Sequence, residues 1–199
     1  MNSNIFRQYD IRGIADRDLT NETVDLIGRA FASYLKNTAH LPAPELVLGR
    51  DIRPSSERMY RAMSNALRTS GIPVTDIGIV TTPVCYFAVQ HLNKTGGVMI
   101  TGSHNPPEYN GLKLVAGKSS IYGEEIQKLR AIIEQKDFVS GEAGEVHVEI
   151  IPAYQNYLKQ SFQFKRRLKV VLDSGNGTAG LVAPKVIRGF GHEVIELFS

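Results

Sequence analysis

The sequence has very little cysteine, no tryptophan and no long apolar run. Cys85 is the only cysteine among the 199 residues, so no disulfide can form within the chain, and a reducing cytoplasm is the expected location. No apolar run approaches the roughly 20 residues that a helix needs to cross a bilayer. The N-terminal residues show no apolar segment followed by a small-residue cleavage site, as a secretory signal would. We therefore expect a cytoplasmic protein with no membrane partner.

The charge balance is close to neutral, with 23 basic and 20 acidic residues and a net charge of +3. The one basic cluster, residues 165–167, precedes a predicted strand and is typical of a solvated turn. So mild an excess gives no electrostatic reason to expect a nucleic-acid partner.

Strands and helices alternate along the chain. Thr20 is a suitable N-cap for a first helix, Ser55 or Ser56 for a second, and a proline region at residues 42–44 ends the first connection. Short apolar runs predict strands over residues 46–48, 74–79, 97–101, 112–116, 168–172 and 193–198. This order predicts an α/β fold with a mixed, mostly parallel sheet and helices on both faces. Ligands of such sheets gather at the carboxyl ends of the strands.

Composition divides the chain at residues 139–151. We expect a first domain over residues 1–138, a linker over 139–151, and the start of a second, similar α/β domain over 152–199. The last part contains a single βαβ unit, which can hardly cover both faces of its own sheet. We therefore expect this chain to be a piece of a longer protein, cut inside its second domain.

The loop TGSHNPPEYNG, residues 101–111, follows a predicted strand and offers a serine. Ser103 could be a turn residue, an acyl-transfer nucleophile or a carrier of phosphate. The G-x-S-x-G pattern of a nucleophile elbow is absent, and the adjacent His104 is not expected to turn back onto the Ser103 hydroxyl. Acyl transfer is therefore the least supported of the three hypotheses for Ser103.

The surroundings of Ser103 favour phosphate chemistry over a plain turn. Gly102 permits close approach of another group to the backbone, and two prolines stiffen the loop. A tight reversal at residues 110–111 is expected to bring Lys113 back beside the loop. Cations in other short loops would suit a phosphate that carries about −1.5 to −2 charge; they are Arg12, Arg50 and Arg53.

The sequence resembles the α-D-phosphohexomutase family, in particular its bacterial phosphomannomutase/phosphoglucomutase branch. TGSHNPPEYNGLK is similar to the family's phosphoserine loop. Further similar segments lie along the whole chain: FRQYDIRG at residues 6–13, GRDIRPSS at 49–56, TTPVCYFAV from residue 81 and LDSGNGTAG from residue 172. A match of this length is far more specific than a lone glycine motif.

The resemblance implies a role for each candidate residue. Ser103 would carry the phosphoryl group and pass it to the sugar, while His104 and Lys113 would stabilise charge and act as candidate acid/base groups. Arg12 and Tyr9 would reach into the same cleft. Asn105 would shape the loop, and the substrate-binding set would be Tyr9, Arg12, Asn105 and Lys113.

The resemblance also implies a reaction and its cofactors. A hexose 1-phosphate and a hexose 6-phosphate, of mannose or glucose, would interconvert through a hexose 1,6-bisphosphate intermediate. One Mg²⁺ would bind through the phosphate on Ser103 and an aspartate-rich loop of the DGDGDR type. That loop is absent from the sequence, and the resemblance assigns it to residues beyond 199. We therefore expect this chain alone to be inactive.

Two alternatives remain open. One is phosphoglucosamine mutase, a branch in which we expect alanine where this chain has Gly102. The other is a non-catalytic module that binds phosphosugars and needs no metal loop.

Overall fold

A seven-stranded mixed sheet forms the centre of the chain in a computed structural model, which describes residues 1–41 and 43–199. Its strands are β1 (Ile11–Ile14), β2 (Leu46–Arg50), β3 (Val74–Ile79), β4 (Gly96–Ile100), β5 (Tyr109–Ala116), β6 (Ser119–Ser120) and β7 (Glu145–His147). Pro42, part of the region expected to end the first connection, lies outside the described residues.

The strand order is β1-β5-β4-β2-β3-β7, with β6 paired to β5. β2 pairs in parallel with β3 and β4, and β3 with β7. β5 is antiparallel to each of its neighbours, β1, β4 and β6, so it alone runs against the others. The carboxyl ends of β2, β3 and β4 therefore meet at one edge of the sheet.

Helices cover both faces of this sheet, as the sequence predicts. The four helices that pack on it are α1 (Asn21–Ser33), α2 (Pro54–Thr69), α3 (Thr82–His91) and α4 (Glu124–Gln135). Apolar side chains of α1, α2 and α4 join one buried cluster, which contains Phe31, Met63 and Leu129. α3 belongs to a second cluster on the opposite face, with Val84 and Ala88 against Val47 and Met99.

Helix starts follow local hydrogen bonding, and one predicted start is wrong. Thr20 caps α1 as expected, because its side chain accepts a hydrogen bond from the Thr23 N–H. α2 begins at Pro54 and neither Ser55 nor Ser56 is its N-cap; that position is Arg53, whose side chain does not cap the helix. Proline suits the first helical turn, where its missing N–H has no partner to lose, and Ser56 Oγ instead bonds Asp51.

The segment predicted as a linker contributes the edge strand β7. Glu145–His147 pair in parallel with Val74–Asp76 of β3. Beyond β7 come α5 (Ile151–Ser161), β8 (Lys169–Asp173), α6 (Ala183–Gly189) and β9 (Glu193–Leu197). β8 and β9 form a separate parallel pair, and Tyr154 of α5 packs its ring edge-on to Phe87 of α3 at 5.2 Å between centroids. The division into two domains stays a prediction.

Among the described residues, no helix combines the length and the apolar character that a bilayer span requires.

Candidate active site

Ser103 lies at the exposed tip of the loop that leaves β4. Its backbone is in the left-handed region, with φ of 55°, and its N–H donates to Thr101 Oγ1 at 2.8 Å. In this conformation Ser103 Oγ lies 3.3 Å from Nδ1 of His104. The expectation that His104 could not reach the hydroxyl is therefore wrong, because the left-handed turn brings the two neighbouring side chains to the same side.

Asn105 makes two hydrogen bonds within the loop. Its backbone N–H and its side-chain amide both donate to the carbonyl of Gly102, at 3.0 and 2.8 Å. These two bonds close the turn that holds Ser103 and His104 outward.

Arg53 packs beneath the loop, and its guanidinium binds the loop backbone. Four of its N–H groups donate to backbone carbonyl oxygens at 2.6–3.1 Å; the carbonyls belong to Ser103, Asn105, Pro106 and Tyr109. Its Nε lies 3.3 Å from Asp51 Oδ2. Arg50 forms ion pairs with two other carboxylates: its Nε lies 2.9 Å from Glu57 Oε2, and its Nη1 lies 3.2 Å from Asp76 Oδ1. The cations expected to suit a phosphate are therefore paired with protein groups at Arg50 and Arg53, and of these two only Arg53 lies at the cavity described below.

Arg12 and Lys113 come together on one buried carboxylate. Asp10 Oδ2 lies 2.5 Å from the Arg12 guanidinium and 3.3 Å from Lys113 Nζ. Arg12 faces Gly111 across β1 and β5, and Lys113 lies in β5 opposite Met99. The reversal expected at residues 110–111 is wrong, because both lie in β5; the chain turns earlier, where the Tyr109 N–H bonds the Pro106 carbonyl.

A cavity of about 690 Å³ opens beside the Ser103 loop. Three segments of the sheet edge line it together with a turn after β8, and the lining includes Arg53, Thr82, Ser103, His104, Asn105 and Asn176. The first turns of α2 and α3 contribute Pro54 and Thr82, so the positive ends of two helix dipoles face this space. Such an environment favours an anionic group such as a phosphate.

The structure does not bring every predicted residue into this cavity. Ser103, His104 and Asn105 line it, whereas the lining does not include Tyr9, Arg12 or Lys113. The Tyr9 side chain is 74% exposed and makes no hydrogen bond with the described residues. Arg12 and Lys113 therefore form a second group, joined by Asp10, whereas Tyr9 makes no polar contact with either of them among the described residues.

The described residues do not form a metal site by themselves. Nowhere in ranges 1–41 and 43–199 do three or more His, Cys, Asp or Glu side chains gather in a way that could hold a metal ion. Of the residues predicted for Mg²⁺, Ser103 alone is present, and it could contribute only through a phosphate oxygen.

A family model described as phosphoglucomutase/phosphomannomutase, alpha/beta/alpha domain I, matches residues 3–140. This range includes the Ser103 loop, the Arg53 loop and the Asp10 group. The chain belongs to the phosphoglucomutase/phosphomannomutase family.

Named relatives and a solved structure agree with this assignment. A phosphomannomutase/phosphoglucomutase from Pseudomonas aeruginosa is 41% identical over 196 residues, and a phosphoglucomutase from Neisseria gonorrhoeae is 42% identical over 196 residues. Each alignment covers 98% of this chain and 42% of the relative. A crystal structure of a phosphoglucomutase/phosphomannomutase family protein from Burkholderia thailandensis matches with a TM-score of 0.93 at 35% identity, over 100% of this chain and 44% of that one.

In this member of the phosphoglucomutase/phosphomannomutase family, the sequence analysis missed two buried residues that support the loop. Asp51 accepts hydrogen bonds from the N–H groups of Arg53 and Gly102. Asn110 is fully buried and donates from its side chain to the hydroxyls of Ser55 and Ser56, at 2.8 and 3.0 Å. Each is a polar residue next to a predicted strand, a signal that marks candidates for buried hydrogen bonding.

Proposed function

We propose that a full-length protein containing this chain is a phosphohexomutase that interconverts hexose 1-phosphate and hexose 6-phosphate of mannose or glucose. The observation that carries the proposal is the exposed Ser103 hydroxyl, on a hydrogen-bonded loop beside His104, at a cavity faced by two helix N-termini. The chain spans about 42% of the curated relatives that it matches, so the activity belongs to the proposal and not to the chain alone.

The reaction would use Ser103 as a relay. The bond between phosphorus and Ser103 Oγ breaks as a free hydroxyl of the hexose phosphate forms a new bond to phosphorus, which yields a hexose 1,6-bisphosphate. After the sugar reorients, its other phosphoryl group passes back to Ser103 Oγ. Transfer of this kind depends on in-line positioning and on cationic support for the phosphoryl oxygens.

Each remaining candidate has a physically reasonable part in this reaction. His104 Nδ1, at 3.3 Å from Ser103 Oγ, is close enough to exchange a proton with the hydroxyl after a small movement. Lys113 and Arg12, paired on Asp10, would offer positive charge to a substrate phosphate. Exposed Tyr9 would contact the sugar. Mg²⁺, when bound to the phosphate on Ser103, would neutralise charge on the transferred group, with its other ligands outside this chain.

The loop geometry supports the mannose/glucose branch. A Cβ at Gly102 would lie 2.5 Å from Arg53 Cζ and 2.8 Å from the Tyr109 carbonyl oxygen. The alanine expected in the phosphoglucosamine branch therefore does not fit this loop. Turnover of mannose 1-phosphate, glucose 1-phosphate and glucosamine 1-phosphate by the full-length enzyme tests this preference.

Replacement of the serine tests the function. Ser103→Ala in the full-length enzyme is expected to abolish mutase turnover in a coupled assay, because the proposed reaction passes the phosphoryl group through the Ser103 hydroxyl. Ser119→Ala is the matched control, since Ser119 is an exposed serine on β6 far along the sheet from this loop. Near-normal turnover of the Ser103 variant would remove Ser103 from the reaction.

A further inference from the structure

The loop that carries Ser103 is held from beneath by a single arginine side chain. We infer that Arg53 is the positioning residue for Ser103 and is not a phosphate ligand. The inference rests on the proposed mutase function for its kinetic consequence, but its structural content is independent of that function.

Every nitrogen of the Arg53 guanidinium already has a protein partner. One terminal nitrogen donates to the carbonyls of Pro106 and Tyr109, at 2.6 and 2.9 Å, and the other to those of Ser103 and Asn105, at 3.1 and 2.6 Å. Nε lies 3.3 Å from Asp51 Oδ2. All four N–H groups of the two terminal nitrogens are therefore used by loop carbonyls, and Nε faces the Asp51 carboxylate, so the fork that would bind a phosphate is already occupied.

The contact with Ser103 sets the direction of the next peptide group. In a planar trans peptide the C=O and the following N–H point in opposite directions. Because Arg53 draws the Ser103 carbonyl beneath the loop, the His104 N–H points away from Arg53. That N–H makes no hydrogen bond with any described residue, so it is free to meet a phosphoryl oxygen on Ser103.

The contacts at this position fit the shape of an arginine side chain better than that of a lysine. The planar fork reaches four carbonyls at once, whereas a lysine ammonium has three donors on a single atom. Gly102 completes the fit, since a Cβ there would lie 2.5 Å from both Cζ and Nε of Arg53. Asp51 holds the guanidinium from the other side and also accepts from the Gly102 N–H.

Arg53→Lys in the full-length enzyme gives the kinetic test. The change keeps the charge and releases the loop carbonyls, so we expect kcat to fall about 100-fold, the loss that a misplacement of about 1 Å can cause. KM for the hexose phosphate is expected to stay near its wild-type value, because Arg53 does not bind substrate. Arg58→Lys is the matched control: Arg58 also donates to a backbone carbonyl, that of Leu19, but lies away from the loop.

Hydrogen exchange of residues 101–109, measured by mass spectrometry, gives a readout that does not need turnover. Faster exchange is expected in Arg53→Lys, because the Asn105 N–H loses the support of its bond to the Gly102 carbonyl, and no change is expected in Arg58→Lys. Gly102→Ala keeps the arginine but crowds both its guanidinium and the Tyr109 carbonyl that it binds, so it should show the same faster exchange and the same loss of kcat. It provides the second variant if Arg53→Lys does not fold.

The outcomes separate this inference from the proposed function. If the wild-type enzyme has no mutase activity but exchange rises in both variants, the function falls and the positioning role stands. If the wild-type enzyme is active and both variants keep wild-type kcat and exchange, the positioning role is overturned. A higher KM with an unchanged kcat in Arg53→Lys would also overturn it, because Arg53 would then be a substrate ligand.

Discussion

At the scale of single residues, the site depends on buried polar side chains that the loops share. Asn110 bridges the start of β5 to Ser55 and Ser56 at the start of α2, and its side-chain Oδ1 accepts a hydrogen bond from the Gly111 N–H at 2.8 Å. Asp51 bridges the same α2 start to the Ser103 loop through Gly102. Buried groups of this kind are costly to leave without partners, so each supports the geometry around Ser103.

Removal of the Asn110 side chain should destabilise the fold. Asn110→Ala removes the donor to the buried Ser56 hydroxyl and to the half-buried Ser55 hydroxyl, so we expect the free energy of unfolding to fall by about 1–3 kcal/mol. Denaturant titration followed by circular dichroism measures the change. Asn65→Ala, at an exposed position on α2, is the control and should lie within about 0.5 kcal/mol of wild type. Equal stability of the two variants would contradict a supporting role for Asn110.

The residue type and position of Ser103 could be predicted from the sequence, but the partners of the arginines could not. Ser103, His104 and Asn105 line the cavity, consistent with a loop at the carboxyl end of β4. Arg53 was expected to face phosphate because positive charge is visible in a sequence. Arg53 binds backbone carbonyl groups of the loop, and every residue has such a group. No residue type in the sequence therefore marks the four carbonyls that surround the guanidinium in the folded chain.

At the scale of elements, part of the predicted linker forms β7, which pairs with β3 at the edge of the sheet. His147 of β7 contacts Asp76 of β3 at 3.1 Å through Nδ1 and Glu149 at 3.3 Å through Nε2. Hydrogen bonds and the negative charge of Asp76, followed by those of Glu149, raise the pKa of His147 above its ordinary value. The short polar segment Glu145–His147 has no apolar alternation, so its sequence could not predict a strand.

The raised pKa of His147 predicts a pH-dependent stability. Because the protonated imidazole is favoured in the folded state, its contribution is fully present below the pKa of the unfolded chain and is lost as pH rises through the higher folded pKa. His147→Gln should therefore be less stable than wild type at about pH 5, and the difference should shrink toward pH 8. Thermal unfolding of both proteins across this range measures it.

A substitution that changes no titratable group provides the control for this pH effect. Asn65→Ala, at an exposed position on α2, should differ from wild type by an amount that does not depend on pH. A gap between wild type and His147→Gln that grows with pH would contradict the assigned contacts with Asp76 and Glu149.

At the scale of the whole molecule, the cavity joins the two parts of the chain. The turn after β8 contributes Gly175 to Ala179 to a lining that otherwise comes from the large sheet. Val182 and Ile150 also pack into the cluster around α3. The alternation of strands and helices predicted this α/β class, whereas the packing of the second part on α3 depends on side chains such as Phe87 and Tyr154, which no local pattern links.

The 199-residue chain alone is expected to show no mutase turnover. It supplies Ser103, but it covers 42% of the relatives, and the resemblance assigns the metal and sugar-binding loops to the remainder. A coupled assay with glucose 1-phosphate and hexose 1,6-bisphosphate measures this, with a full-length relative as the positive control. Turnover by the isolated chain at a rate near that of the control would contradict the expected division of the site.

Location of the phosphate on the working enzyme tests the central claim most directly. The full-length protein is incubated with a hexose 1,6-bisphosphate, digested, and analysed by tandem mass spectrometry. We predict a single phosphorylated peptide with the phosphate on Ser103. When the bisphosphate carries ¹⁸O-labelled phosphate, this peptide should lose its label once unlabelled hexose monophosphate is added. An active enzyme whose phosphate lies on another residue, or on none, would contradict the account.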